Sequence, residues 1–114
     1  MWTVLLTDYF NEWLSEQDTR MKEKVLASLG NLEIYGPVLT RPYVDTVKNS
    51  QYPNMKELRI WHADRAIRAF FTFDSERQAI VLCAGDKGKN KRFYQTMIRI
   101  ADEQFSSYLA AAKE

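Results

Sequence analysis

A single cysteine, Cys83, has nothing to pair with, so an internal disulfide framework and a multi-cysteine zinc site are both excluded. One histidine, His62, likewise excludes a multi-histidine metal site, and its place in an expected turn reads as a solvated surface group. Glycine (4) and proline (3) are too scarce for a collagen-like or low-complexity chain, and 13% aromatic residues argue against disorder. No apolar run approaches the roughly 18 residues of a membrane-spanning helix. The opening MWTVLLTDYFNEW lacks the basic start and small-residue cleavage site of a signal peptide, so a cytoplasmic protein without membrane contact is expected. What is present, 114 residues of which 46% are hydrophobic and 27% charged, suits one domain over 1–114 with a single core.

The net charge of +1 conceals an asymmetry. Residues 1–51 carry five Lys/Arg against seven Asp/Glu, whereas residues 52–94 carry nine against five, a local net of +4. Lys87, Lys89, Lys91 and Arg92 fall within six residues of one another. A phosphate meets the local field rather than the total charge, so this block suits a polyanion.

Residues 1–7 alternate, with Trp2, Val4 and Leu6 on one side, and predict a short strand. Asp8 is the expected N-cap of a short helix carrying Phe10, Trp13 and Leu14. Asp18 caps a longer one from Thr19, in which Met21, Val25, Leu26, Leu29 and Leu32 recur every three or four residues. Gly36-Pro37 stops it, and 36–54, which holds all the prolines, is expected as one long loop. A period of two then takes over in 55–61, 66–74 and 78–85, joined by short connections into an antiparallel meander. From about Lys91 a last helix carries Phe93, Met97, Ile100, Ala101, Phe105 and Tyr108. The order β-α-α-β-β-β-α predicts an α+β domain, with the N-terminal strand added to the meander and the helices packed on one sheet face.

Helices on one face leave the other open, and Arg59 and Arg68 are expected to stand there, opposite their core-facing neighbours. Two guanidiniums on adjacent strands need a counter-charge. Glu57, two residues before Arg59 on the same face, supplies one, and a phosphate matched to the planar guanidinium fork is another. An internal Arg–Glu network that stiffens the sheet fits the pattern equally well. The stretch AGDKGKNKRFY (84–94) runs strand–Gly–Lys–helix, yet it is not a nucleotide-binding P-loop, because Asn90 follows Lys89 and Cys83 stands where the first glycine belongs. What it offers is cations and free helix-start amides beside the open face, a cradle for a nucleic-acid backbone, with Lys56, Arg65, Lys91 and Arg92 extending the basic surface. Tyr94 could stack on a base or donate to a phosphate, and a core tyrosine is as good a reading. Trp61 could stack on a base or pack against the long loop, and Cys83 reads as a small buried hydrophobe.

The element order, together with MKELRI, RAIRAFFTF and VLCAGDKGKNKRFYQTMIRIAD, resembles the RelE/ParE superfamily of toxins, closest to its HigB-like, phage-associated branch. The likeness covers most of the chain and is strongest over 55–103. It implies the toxin of a type II toxin–antitoxin pair, an endoribonuclease (mRNA interferase) that cleaves mRNA on the ribosome and needs neither metal nor cofactor. It also implies a helix-turn-helix antitoxin as partner, in assemblies up to a heterotetramer. Carried over by position, Glu57 and Arg59 face the RNA, Arg68 binds the reacting phosphate, Lys87 and Lys89 form the basic turn, and Tyr94 is the aromatic that contacts base or phosphate. The best-studied relatives place lysines or histidines on the first of these strands, where this chain has glutamate and arginine. Since arginine is a poor proton acceptor, Glu57 is the expected base and Arg59 and Arg68 the electrostatic clamp, with Lys87 or Lys89 a second clamp or proton donor and Tyr94 a group that orients or donates. Two other readings share the fold or the charge: a ParE-like inhibitor of DNA gyrase that cuts nothing, and a non-catalytic nucleic-acid-binding accessory domain.

Overall fold

Alternation of apolar side chains sets the sheet, and in a computed structural model describing residues 1–112 it sets both faces of it. The elements are β1 (Thr3–Leu6), α1 (Asp8–Ser15), α2 (Thr19–Tyr35), a 3-10 turn (Gly36–Val38), β2 (Val44–Thr46), β3 (Lys56–His62), β4 (Arg65–Phe73), β5 (Gln78–Asp86) and α3 (Phe93–Ala112). Strand order is β1-β5-β4-β3-β2, with β3, β4 and β5 an antiparallel meander and β1 parallel to β5. The α+β class and the expected order of elements stand. Two boundaries move: β5 runs on to Asp86, and α3 begins at Phe93 rather than near Lys91.

The segment expected as an unbroken loop contains β2, which pairs with the edge of β3 through Val44↔Leu58, Asp45↔Glu57 and Thr46↔Lys56. Three residues are too few for alternation to show in a sequence. The N-cap of α1 is Thr7, not Asp8. Its Oγ1 accepts from Phe10 N at 3.2 Å and lies within hydrogen-bond reach of the Val81 and Leu82 carbonyls, so it ties the helix start to β5. Asp18 caps α2 as expected, accepting from Met21 N at 2.8 Å.

The expectation that all helices share one face is overturned. α1 and α2 pack Phe10, Met21, Val25, Leu29 and Leu32 against Leu58, Ile60, Ile67, Ala69, Phe71 and Val81. On the other face α3 packs Phe93, Ile98, Ala101 and Phe105 against Phe70, Ile80, Leu82 and Cys83. The sequence holds the reason, because QAIVLCAG is apolar at every turn of its alternation, as a strand covered on both faces must be. A bulge opposite Phe70 and Phe71, which pair with Cys83 and Val81, adds to this by sending both Leu82 and Cys83 toward α3. At Gly85 a Cβ would sit 3.1 Å from the Phe93 ring, so glycine there lets the start of α3 lie against the sheet. The α3 layer covers the β4–β5 half of its face and leaves the β3 end uncovered, which fixes where a site can be.

At the end of α2, Gly36 takes φ +53°, and a Cβ there would collide with the Trp2 indole ring. Gly36→Ala therefore combines left-handed strain with a clash against Trp2, and we expect a loss of roughly 2 kcal/mol, measurable by urea denaturation.

Candidate nucleic-acid interface

β3 and β4 run antiparallel with Arg59 directly opposite Arg68, an arrangement that repels unless a counter-charge intervenes. Glu57 is that counter-charge. Its Oε2 lies 3.6 Å from Arg59 Nε and 3.8 Å from Arg68 Nε, bridging the two guanidiniums. These separations are ion pairs but too long for hydrogen bonds. Glu57 Oε1, Arg59 Nε and Arg68 Nε are all buried without a hydrogen-bond partner. The triad keeps a net positive charge and unmatched donors, which is the condition in which an arriving anion gains most.

The expectation that the Arg68 guanidinium reaches an open surface is not met. Arg68 is 1% exposed, its Cζ lies 4.7 Å from the centre of the Trp61 ring, and Nη1 donates to the Ile67 carbonyl at 3.1 Å. Trp61, itself 57% exposed, covers it. Arg59 is the more accessible guanidinium, with 23% of its side chain exposed. Lys87 follows β5, its backbone N donating to the Ala66 carbonyl at 2.9 Å and its Nζ 5.6 Å from the centre of the Tyr94 ring. Tyr94 packs edge-on to Phe70 and Phe93. Burial, and next the neighbouring Glu57 carboxylate, push its hydroxyl up from the ordinary value of 10.0, with Arg68 pulling the other way. The phenol therefore stays protonated at neutral pH. Tyr94→Phe keeps the ring contacts and removes only the hydroxyl, so we expect an unchanged melting temperature in thermal denaturation.

The structure thus brings together Glu57, Arg59, Trp61, Arg68, Lys87 and Tyr94. It does not bring in the others. Strand alternation puts Lys56 and Arg65 on the opposite face, with Leu58 and Ile67, where Lys56 Nζ donates to Thr46 Oγ1 at 3.2 Å and Arg65 pairs with Asp86 at 3.2 Å. Lys89, Lys91 and Arg92 are exposed on the turn before α3, outside the groove described next. Burial pushes the Cys83 thiol up to about 12, so it is not a nucleophile.

Above the triad a groove of about 340 Å³ is lined by Glu57, Arg59, Lys87 and Tyr94, and also by Arg41, Lys48 and Asn49 from the segment around β2. The sequence reading missed these three, because only the pairing of β2 with β3 swings them over the site. Arg41 is held by Asp45, with Nη2 2.6 Å from Oδ2, a bond that lowers the Asp45 carboxyl below its ordinary value. Among the described residues no His/Cys/Asp/Glu cluster is arranged to hold a metal, and no helix is long and apolar enough to cross a membrane.

Comparison with known proteins agrees with this architecture. Residues 12–106 match the family described as "Phage derived protein Gp49-like". The chain is 41% identical over 109 residues to "Putative toxin HigB3" of Mycobacterium tuberculosis, covering 95% of this chain and 94% of that protein. It is 42% identical over 111 residues to "Putative toxin HigB2" of the same organism, and spans 55% of that longer protein's length. The isolated Escherichia coli RelE toxin superposes with a TM-score of 0.61 at 11% identity, over 88% of this chain and 99% of that one. The archaeal RelE of Pyrococcus horikoshii, solved as a RelE–RelB complex, gives 0.58 at 15% identity, over 78% and 98%. At those identities the superpositions speak for the fold, while the sequence matches speak for descent. The chain belongs to the Gp49-like family and is a HigB-like protein by descent, and its fold is that of RelE.

Proposed function

We propose that this protein is the toxin of a type II toxin–antitoxin pair and that it acts by cutting mRNA, on the ribosome, in the cytoplasm. The observation that carries the reading is the pair of opposed arginines with donors left unmatched beneath an accessible groove. A gyrase inhibitor working through a protein interface has no need of such a phosphate-sized electrostatic site. The names of the HigB relatives support the toxin part of the reading.

In the reaction proposed, the ribose 2′-OH attacks the adjacent 3′-phosphate in line. The bond from phosphorus to the 5′-oxygen breaks, leaving a 2′,3′-cyclic phosphate and a free 5′-OH. Arg59 and Lys87, the accessible cations, grip the phosphate, and Arg68 holds Glu57 and adds its field from beneath. Glu57, whose Oε1 has no partner, accepts the 2′ proton, and Tyr94 gives its proton to the departing 5′-oxygen. The exposed ring of Trp61 offers a stacking surface for a neighbouring base. The partner proposed is a helix-turn-helix antitoxin, and co-purification with the product of the adjacent reading frame tests it. For the function itself, pulse-labelling after induction is decisive: protein synthesis is expected to stop first, and an early block of DNA synthesis with intact translation would contradict the proposal.

A further inference from the structure

A second and larger groove, of about 770 Å³, opens from the first. Asn49, Tyr94 and Ile98 line both, so the two are continuous around the start of α3. One wall is a single face of α3 from Tyr94 to Ser107, and the other is the loop holding Asn49 and Gln51. That loop is built in place. Both carboxylate oxygens of Asp102 are occupied, Oδ1 accepting from Ser50 Oγ and Oδ2 from Gln51 N at 3.0 Å. Ser50 Oγ in turn accepts from Tyr52 N at 3.0 Å, and Tyr52 hydrogen-bonds Ser106 through its hydroxyl. Bonds of this kind hold the loop's backbone in place, which lowers the cost of ordering that wall on binding.

The groups left over differ in kind from those of the first groove. Asn49, Gln95, Arg99 and Glu103 line it, all are exposed, and among the described residues none of their side chains is engaged in a hydrogen bond or ion pair. Two amides, one cation and one free carboxylate, beside an already occupied Asp102, repel a phosphate backbone more than they attract it. They suit the edge of an unstacked base. An amide pairs two-pronged with a donor–acceptor edge, and a carboxylate accepts from an exocyclic amino group. Uracil has no such group.

We propose that this groove holds the bases next to the scissile phosphate and reads them in succession, with Gln95 and, two turns further along α3, Glu103 each selecting a base that carries an exocyclic amino group over uracil. The proposal rests on the RNA-cutting reading and adds the substrate preference of the same site.

The test uses the full chain and short single-stranded oligonucleotides of A, C, G or U with 2′-O-methyl sugars, which block attack by the 2′-oxygen, so binding is read apart from cleavage. By fluorescence anisotropy the parent is expected to bind the amino-bearing bases roughly tenfold more tightly than oligo-U. Gln95→Ala/Glu103→Ala should bring all four to within about twofold of one another, while Arg59→Ala weakens all four alike. A preference that survives the double substitution overturns the groove's role, and so does a parent that binds all four equally. If the preference vanishes as expected but the parent cuts no transcript in cells, the groove stands as an RNA site and the cleavage reading falls.

Discussion

Arg59→Ala is expected to lower cleavage roughly a hundredfold or more while moving the melting temperature by only a few degrees. Loss of one preorganised donor at the reacting phosphate accounts for the rate. The small effect on stability follows from position. The side chain is 23% exposed, so solvent screens its contact with Glu57. Its removal also relieves the repulsion from Arg68 directly across the strand pair, so the net change should be about 1 kcal/mol or less. Lys87→Ala should act in the same direction with a smaller rate loss, because its ammonium is a single point charge that rests over the Tyr94 ring. In vitro cleavage of a translated message, read beside thermal melting, checks both halves of the expectation.

Arg68→Ala should fail for a different reason. At 1% exposure the guanidinium shares a buried environment with Glu57, at 5%, and its loss leaves that carboxylate with only the partly exposed Arg59 as counter-charge. Breaking a buried ion pair from one side typically costs roughly 3–5 kcal/mol. Activity is then lost with the fold. The paired change Glu57→Leu/Arg68→Met separates the two effects, since apolar replacement of both partners is often neutral for stability. The double variant is expected to regain most of the melting temperature and none of the cleavage. Recovered cleavage in that variant would show that neither group takes part in the chemistry.

The grouping of Glu57, Arg59 and Trp61 on one face of β3, and of Arg68 opposite its apolar neighbours Ile67 and Ala69, was legible because alternation in a strand is a local rule. The Asp18 cap and the stop at Gly36 were legible for the same reason, being set by residues within a turn of one another. What escaped depends on distant parts of the chain. β2 is three residues long and exists because β3 offers it an edge, so Arg41, Lys48 and Asn49 had no visible connection to the site. The packing of α3 on the opposite face, and hence the narrowing of the open surface, follows from a strand apolar on both sides, which by itself does not say which helix covers which face. The burial of Arg68 is a matter of Trp61 lying across it, two strands' side chains meeting at a register no single strand reveals. Lys89, Lys91 and Arg92 are close to Lys87 in sequence but lie on the exposed turn before α3, outside the lining of the groove above the triad.

The most direct test of cleavage at the Arg59–Glu57–Arg68 site is a map of transcript 5′ ends taken shortly after induction of the parent chain and of Arg59→Ala in parallel. The account predicts new 5′-hydroxyl ends within translated regions for the parent and their near absence for the variant, at equal levels of folded protein. Intact transcripts in arrested cells expressing the parent, or an unchanged set of ends with the variant, would contradict it.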